Sequence, residues 1–191
     1  MACFVGGPVS RYYYVSLGSN IEPEKHFADA FAQLSARFGT LLVMPVVKTA
    51  PCAIDTANDF LNTLVVFAST LSTHELKAWF NQLETQHGRD RNDPMRSAKD
   101  RTLDLDILAS QEHLDFSTTA TFEEPYTQAC VDALIHPQAT QEIVLQGQRL
   151  GHRASAIDTD HRSGHIFVIE DTLDRLLERL EPAFNREQGL A

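Results

Sequence analysis

The sequence predicts a mixed α/β (α+β) protein with a β-α-β-β-α-β core, and three features predict it. Four segments are rich in aromatic, β-branched and other apolar residues, which is typical of strands. Apolar residues recur at helical spacing in two segments between those strands. Turn residues separate the segments, and Ser72 and Glu75 form a capping box before the second helix. This order of elements is that of a ferredoxin-like, or split β-α-β, fold.

The core elements follow one another along residues 12–108. The first strand ends at Gly18, and we expect Asn20 or a neighbour to cap the first helix, which Gly39 ends. Pro45 lies within the second strand and predicts an edge position, because proline cannot donate to a ladder. The expected strands are 12–17, 41–49, 60–68 and 101–108, and the expected helices are 21–38 and 72–88.

Residues 109–191 are expected to complete the fold as part of a single domain that covers 1–191. Their pattern predicts a short helix at 123–135 and a hairpin that pairs 154–158 with 165–170. Asp171 is expected to cap a last amphipathic helix, which would end at Pro182. A chain of 191 residues is long enough to bury one core, and no stretch of it has the composition of a linker.

Composition narrows the class of function. The formal net charge of −10 and the isoelectric point near 5.2 disfavour nucleic acid as a partner. Three cysteines without C-x-x-C spacing favour neither disulfides nor zinc, and are typical of a reducing cytoplasm. We expect no export signal, and no apolar run is long enough to span a membrane. We expect a cytoplasmic monomer that acts on small molecules.

One strand carries the strongest chemical signal. Asp104 and Asp106 alternate with Leu103, Leu105 and Ile107, so both acids share one face while the apolar residues enter the core. The carboxylates would be roughly 7 Å apart at the backbone, which suits two hard cations about 4 Å apart. The alternative interpretation is a half-buried edge strand whose polar face meets water.

The segment before this strand is basic. Residues 89–101 contain five basic and three acidic residues in a chain that is otherwise strongly acidic. Arginine forks bind phosphate oxygens in pairs, so the segment could close over a polyphosphate that two Mg²⁺ ions hold at the carboxylates. A solvated loop with internal ion pairs is the alternative.

These residues resemble the 6-hydroxymethyl-7,8-dihydropterin pyrophosphokinase family of the folate pathway, as a divergent member. The resemblance covers residues 12–108, and its most specific part is Arg-Thr-Leu-Asp-Leu-Asp-Ile at 101–107. The supporting motifs, in order, are Leu-Gly-Ser-Asn at 17–20, Thr-x-Pro at 49–51, Phe-Leu-Asn at 60–62 and Gly-Arg-x-Arg at 88–91.

The resemblance implies a kinase that transfers the β,γ-diphosphate of ATP to the hydroxymethyl group of a reduced pterin and releases AMP. It implies two Mg²⁺ ions on Asp104 and Asp106, with ATP as co-substrate. The pterin would be bound by Thr49, Ala50, Cys52, Phe60 and Asn62. Catalysis would depend on Arg89, Arg91 and Arg101, which also bind ATP together with Glu84, Ile107 and His136.

Two of the pterin residues have an independent rationale. Asn62 is a polar residue on an otherwise apolar strand face, and its amide offers a donor and an acceptor to the edge of a heterocycle. Phe60 offers a flat ring for stacking, but an ordinary core phenylalanine is an equally good interpretation.

The sequence also departs from the family pattern. Residues 97–100 read Ser-Ala-Lys-Asp where the family usually has Trp-Gly-Pro. The later His-Pro motif matches His136 and Pro137 only after an insertion of about a dozen residues, which would place Glu142 and Val144 where the family has an arginine and a phenylalanine. We therefore expect weakened or altered activity.

Two other functions stay open at this point. One is a non-catalytic pterin- or nucleotide-binding module, and the other is a transferase with a different acceptor alcohol. His161 and His165 are four residues apart, as in some zinc sites, but Ser163 and Gly164 would break a helix there, so a polar hairpin tip is the better interpretation.

Overall fold

The computed structural model describes residues 10–51, 56–90, 92–95, 99–137 and 139–187, with side chains up to residue 180. In chain order the strands and helices are β1 (Arg11–Ser19), α1 (Pro23–Phe38), β2 (Leu41–Val43), β3 (Val47–Thr49), β4 (Phe60–Ser69), α2 (Thr73–Gln86), β5 (Asp104–Gln111), a 3-10 helix (Phe116–Thr121), α3 (Pro125–Asp132), β6 (Ile143–Leu145), β7 (Gln148–Leu150), β8 (Ala154–Thr159), β9 (Ile166–Asp171) and α4 (Leu173–Glu187).

The main sheet is antiparallel and has the strand order β5-β1-β4-β2-β8-β9, with β3 also paired to β4. The first four strands of that order, β5-β1-β4-β2, have the ferredoxin-like arrangement, which confirms the predicted fold. The predicted C-terminal hairpin is also confirmed, because β8 and β9 pair along their whole lengths. Strands β6 and β7 form a separate two-stranded sheet.

The edge position predicted from Pro45 is wrong. Strand β2 pairs with β4 on one side and with β8 on the other, because the C-terminal hairpin extends the sheet past it. Pro45 lies between β2 and β3, outside both strands, so it removes no ladder hydrogen bond. The outermost strands of the main order are β5 and β9, whereas β3 pairs with β4 and its Val47 forms an isolated bridge with Thr140.

Two apolar cores cover the two faces of this sheet. The first contains Tyr13, Leu17 and Leu105 with residues of α1 and α2, such as Phe31 and Phe80. The second contains strand residues that alternate with these, together with residues of α3 and α4: Tyr14, Leu64, Val66, Cys130 and Leu176. Each large apolar side chain that is fully buried contributes about 1.5–3 kcal/mol, so both cores fix β5 against β1.

The helix ends agree with the sequence in part. Ser72 and Glu75 form the predicted capping box, and Gly39 follows the last residue of α1. The predicted capping role of Asn20 is wrong: Glu22 is the residue that precedes α1, and its side chain makes no capping hydrogen bond. Helix α4 begins after Thr172 and continues past Pro182 to Glu187, so its predicted end is wrong as well.

The turn between β8 and β9 contains the two histidines considered above. The backbone N–H of Gly164 donates to Asp160 O at 2.7 Å, and the N–H of Asp160 donates to His165 O at 2.8 Å. Within the described ranges, no group of three or more His, Cys, Asp or Glu side chains could hold a metal ion. No described helix is long and apolar enough to cross a membrane.

Candidate functional site

A row of residues crosses three adjacent strands on the second face of the sheet. Asp104 of β5 lies opposite Gly18 of β1, and Gly18 lies opposite Asn62 of β4. The next row places Asp106 opposite Ser16. Neighbouring strands are about 4.8 Å apart, so Asp104 and Asn62 are roughly 10 Å apart at the backbone, on the two sides of a glycine.

Gly18 keeps this row open. A Cβ at this position would lie 2.8 Å from Asn62 Oδ1, closer than real Cβ contacts come. Glycine is therefore required for the amide of Asn62 to sit where it does. This is the physical role of the glycine in the Leu-Gly-Ser-Asn motif.

Asp104 is held between two arginines. Arg89 Nη1 donates to Asp104 Oδ1, and Arg101 Nη1 donates to Asp104 Oδ2. Arg89 also pairs with Glu84 Oε2 at 3.0 Å, and Glu84 is fully buried. Burial alone would lower the pKa of Arg89, but Asp104, Glu84 and Asp106 outweigh it and raise the pKa. The guanidinium therefore stays charged.

Glu84 connects this charge cluster to the strand. Its Oε1 accepts a hydrogen bond from the backbone N–H of Leu105 at 2.9 Å, so helix α2 is fixed to β5 between the two aspartates. A buried carboxylate is tolerated when its oxygens are hydrogen-bonded and paired, and both oxygens of Glu84 are.

Asp106 is more open and has a different cation. Its side chain is 51% exposed, and Lys77 Nζ donates to its Oδ1 at 2.6 Å. Lys77 belongs to α2, which packs on the opposite face of the sheet. Its side chain therefore passes around the free edge of β5, where Nζ also donates to Leu105 O at 2.7 Å.

The two aspartates fit Mg²⁺ as a ligand set. Mg²⁺ prefers oxygen ligands and is usually bound through one or two carboxylates, with substrate phosphates and water completing an octahedron. Asp104 and Asp106 supply two such carboxylates on one face of β5. The buried Nε of Arg89 has no hydrogen-bond partner among the described residues, which leaves a donor for an anionic ligand.

Tyr126 is a site residue that the sequence reasoning missed. It lines one cleft together with Asp106 and lies near Ser16, the residue opposite Asp106. Burial first, and then the charges of Glu124, Asp106 and Asp104, raise the pKa of Tyr126 to about 12, so the phenol stays protonated and can donate. The predicted short helix at 123–135 is observed as α3 and contains Tyr126, but no spacing rule connects residue 126 with residue 16.

A cleft of about 480 Å³ opens beside Asp106. The loop that leads into α3 forms its other wall, and Ile107, one of the predicted ATP-binding residues, lines it. The volume is within the usual range for small-molecule sites. Its remaining lining residues are Leu108, Ala109, Thr121, Phe122, Glu123, Glu124 and Tyr126.

The predicted pterin residues come together on the other side of Gly18. Strand β3 pairs with β4 so that Thr49 lies opposite Phe60, and Asn62 Nδ2 donates to Thr49 Oγ1 at 2.7 Å. Asn62 is buried, Phe60 is half-buried, and Ala50 follows Thr49 on the surface. Cys52 lies outside the described residues.

Asn20 joins three segments at the entrance of β5. Its Oδ1 accepts from the Arg101 N–H at 2.6 Å, and its Nδ2 donates to Asp100 Oδ1 at 2.7 Å. Asn58 Nδ2 donates to Asp100 Oδ2 at 2.7 Å. Hydrogen bonds from Thr56, Asn20 and Asn58 hold the pKa of the Asp100 carboxyl below its usual value. The motif asparagine therefore positions Arg101 instead of capping a helix.

A histidine pair supports the other end of the basic segment. His26 Nδ1 of α1 and His87 Nδ1, directly after α2, are 2.7 Å apart and share a hydrogen bond. His87 immediately precedes Gly88, whose φ of 91° suits glycine, and Arg89 follows. Burial lowers the pKa of both imidazoles, which favours neutral rings.

Some predicted residues are not brought to this face. His136 is exposed beyond the end of α3, and the structure gives no contact between its side chain and the aspartates. Glu142 and Val144 lie at β6, which packs against α1 through Ile143 and Leu145 in the first core, and Val144 is 53% exposed. The segment that covers the aspartate face is instead the one leading into α3. Arg91 lies outside the described residues.

A ferredoxin-like sheet with two aspartates on an edge strand, arginines around one of them and a buried amide two strands away has the groups that suit a polyphosphate beside a second small molecule. Comparison with known proteins identifies the family. Residues 14–146 match the family model of 7,8-dihydro-6-hydroxymethylpterin-pyrophosphokinase, HPPK. The match covers more than half of the chain, and the chain belongs to this family.

Curated relatives agree with this assignment. The 2-amino-4-hydroxy-6-hydroxymethyldihydropteridine pyrophosphokinases of two strains of Porphyromonas gingivalis are each 31% identical to this chain over 98 residues. The aligned part is 50% of this chain and 66% of each relative. The chain therefore matches slightly less than two thirds of the length of these relatives.

Proposed function

We propose that this chain transfers the β,γ-diphosphate of ATP to the hydroxymethyl group of 6-hydroxymethyl-7,8-dihydropterin, in folate biosynthesis. The hydroxymethyl oxygen would form a bond to the β-phosphorus, the bond from that phosphorus to the oxygen bridging to the α-phosphate would break, and AMP would leave with that oxygen. The alcohol proton would be released to solvent. Family membership and the names of the relatives support the proposal.

The row formed by Asp104, Gly18 and Asn62 carries the proposal. Asp104 with its arginines forms the charged side of the site, and Asn62 with Thr49 forms the neutral side. The two sides are roughly 10 Å apart, a distance that a pterin with its hydroxymethyl arm and a diphosphate can span. Asn62 and Thr49 would hold the polar edge of the pterin, and Phe60 would pack on the ring. Ala50 and Cys52 would complete the pocket.

On the charged side, Arg89, Arg91 and Arg101 would bind the polyphosphate, with Tyr126 as a further donor. Charge spreads over the oxygens of the transferred group in the transition state, so donors already fixed by Glu84 and Asp104 stabilise it without reorganisation. Asp104 and Asp106 would hold two Mg²⁺ ions, which neutralise phosphate charge when bound. Ile107 would line the nucleotide site, and His136 stays a prediction.

A non-catalytic binding role is the second candidate. The sequence Ser-Ala-Lys-Asp at 97–100, where the family usually has Trp-Gly-Pro, favours it because a ring that could close over the pterin is missing from that segment. Transfer to a different acceptor alcohol is a variant of the first proposal.

Measurement of AMP separates these functions. The purified chain is mixed with ATP and Mg²⁺ in three reactions. The first also contains the dihydropterin, the second contains a pterin that lacks the hydroxymethyl group, and the third contains no pterin. We expect AMP only with the hydroxymethyl compound, loss of AMP in Asp106→Asn and normal AMP in Asp158→Asn, an exposed aspartate of β8. ATP binding without AMP would favour the binding module, and AMP formed only with another alcohol would change the acceptor.

We further propose that the chain acts as one domain, as a monomer and in the cytoplasm. The continuation of the core sheet into β8 and β9 supports one domain, because the C-terminal hairpin shares its hydrogen-bond ladder with β2. Sedimentation velocity at micromolar concentration would test the monomer.

A further inference from the structure

Lys77 is a cation of the site that the resemblance does not include. Its Nζ lies 2.6 Å from Asp106 Oδ1 and 2.7 Å from Leu105 O. It reaches Asp106 from a helix on the opposite face of the sheet, around the open edge of β5. A lysine held on a proposed metal ligand competes with the metal for the same oxygen lone pairs.

The charges of the cluster balance. Among the described residues, Glu84, Asp104 and Asp106 are paired with Arg89, Arg101 and Lys77, so these six groups have no formal net charge. A hydrated Mg²⁺ ion on its own therefore gains little by approaching them. A triphosphate changes this balance, because it gives the cations new anionic partners.

Lys77 is better able than Arg89 to change partner. Arg89 is 15% exposed and is fixed by two carboxylates, whereas Lys77 is 38% exposed and contacts a half-exposed carboxylate. A lysine is a compact charge on a flexible four-carbon stem, so it can move between nearby oxygens without losing the geometry that a guanidinium fork needs. Ligands of one Mg²⁺ ion are about 3 Å apart, so a phosphate oxygen that shared an ion with Asp106 would lie within a short movement of Nζ.

We propose that Lys77 exchanges partners when the nucleotide binds. Without nucleotide its ammonium neutralises Asp106 and opposes binding of free metal; with nucleotide it donates to a phosphate oxygen and leaves Asp106 to the metal. Lys77 thereby makes metal uptake dependent on the polyphosphate. The inference rests on the proposed function in taking a metal-bound nucleoside triphosphate as the ligand.

The exchange predicts effects of opposite sign from one substitution. In Lys77→Met, Asp106 loses its competitor, so Mn²⁺ alone should bind about 3- to 10-fold more tightly, as followed by electron paramagnetic resonance. The same variant should bind a non-hydrolysable Mg-ATP analogue about 3- to 10-fold more weakly in calorimetry, because a phosphate contact is lost.

Two matched variants control for charge and for folding. Lys77→Arg keeps the charge and should shift both affinities back towards the wild type. Lys25→Met removes an exposed lysine that is 4.0 Å from Glu22, and should change neither affinity. Thermal melting of each variant checks that the fold is intact, and in an Asp106→Asn background Lys77→Met should no longer tighten Mn²⁺.

The possible outcomes distinguish the partner exchange of Lys77 from the proposed function. If both affinities fall together, or neither changes, Lys77 is structural and the exchange is wrong. If Mn²⁺ binds more tightly to Lys77→Met but the wild type binds no ATP analogue, Lys77 opposes metal binding at Asp106, and both the exchange and the proposed nucleotide chemistry fail. If both affinities shift as expected while no AMP forms with any alcohol, the exchange holds and the proposed transferase activity fails.

Discussion

The polar side chains on the two sides of Gly18 differ in charge and in their hydrogen-bond partners. On the β5 side, Asp104 is partly buried and charged, and it pairs with two arginines. On the β4 side, Asn62 is buried and neutral, and its amide donates to the Thr49 hydroxyl at 2.7 Å. The difference suggests a division of labour in which one side binds charged phosphates and the other recognises a neutral heterocycle.

Position in the sheet explains the difference. β5 is an edge strand, so water, lysine from the opposite face and a large anionic ligand can all reach its carboxylates. β4 lies between β1 and β2, where an unpaired charge would be costly and a hydrogen-bonded amide is tolerated.

Removal of either aspartate should have the largest effect on turnover. We expect Asp104→Asn and Asp106→Asn each to lower AMP formation by about 10³-fold or more, because both proposed metal ligands are needed. The free energy of unfolding should distinguish the two variants. Asp104 is 16% exposed between two arginines, so its loss should cost about 3–5 kcal/mol, whereas loss of half-exposed Asp106 should cost at most about 1 kcal/mol.

Urea denaturation and steady-state kinetics of the two variants provide the measurement. A folded Asp106→Asn protein with wild-type turnover would show that the polar face of β5 is an ordinary solvated edge, as the alternative interpretation of the sequence has it.

Gly18→Ala should damage the neutral side selectively. The added methyl group would meet Asn62 Oδ1 at 2.8 Å and displace the amide. We expect pterin affinity to fall about tenfold or more while the affinity for the Mg-ATP analogue changes less than about twofold. The double variant Gly18→Ala with Asn62→Ala should regain stability without regaining pterin binding. Equal losses of both ligands in the single variant would mean that the two sides are not independent.

Arg101→Ala should damage the charged side, and mainly in the transition state. We expect kcat to fall about 10²- to 10³-fold with a smaller rise in KM for ATP, since its guanidinium would meet charge that develops during transfer. Arg89→Ala should lose stability as well, because it would leave the buried carboxylate of Glu84 without its cation. An unchanged kcat with weaker ATP binding in Arg101→Ala would make this arginine a ground-state anchor.

Acid should weaken the charged side through the histidine pair. The folded pKa values of His26 and His87 are below the ordinary value of about 6.5, so near that pH the folded state binds fewer protons than the unfolded chain. The free energy of unfolding therefore decreases as the pH falls below about 6.5. Around the rings, Glu22 and Asp29 favour protonation of His26, and Lys25 opposes it.

Melting temperatures between pH 7 and pH 5 would measure this effect. We expect a decline that His87→Asn reduces, and a loss of nucleotide affinity greater than the loss of pterin affinity, because His87 precedes Arg89. A decline of the same size in His87→Asn would place the acid sensitivity elsewhere.

The local pattern of the sequence predicts more of the fold than of the site. Alternation alone identifies the face that Asp104 and Asp106 share, and the capping box identifies the start of α2. The edge position of Pro45 could not be judged correctly, because the strand that covers β2 comes more than 100 residues later. The partner of Asn20 is likewise about 80 residues away, so its local role as a cap was the wrong inference.

The same limit applies to the site. Lys77 contacts Asp106 from α2 and Tyr126 of α3 lines the cleft beside Asp106, and no spacing rule connects either residue with β5. The motif match of Val144 across an insertion likewise could not indicate that its neighbours, Ile143 and Leu145, bury against α1 in the first core.

Calorimetric titration of a 6-hydroxymethylpterin tests the division between the two sides most directly. It is carried out on the wild type and on Asn62→Ala, each with and without a non-hydrolysable Mg-ATP analogue. We expect the wild type to bind the pterin, Asn62→Ala to bind it about tenfold or more weakly, and both to bind the analogue equally well. Equal pterin binding by the two proteins, or none by the wild type, would contradict the assignment of the neutral side to the pterin.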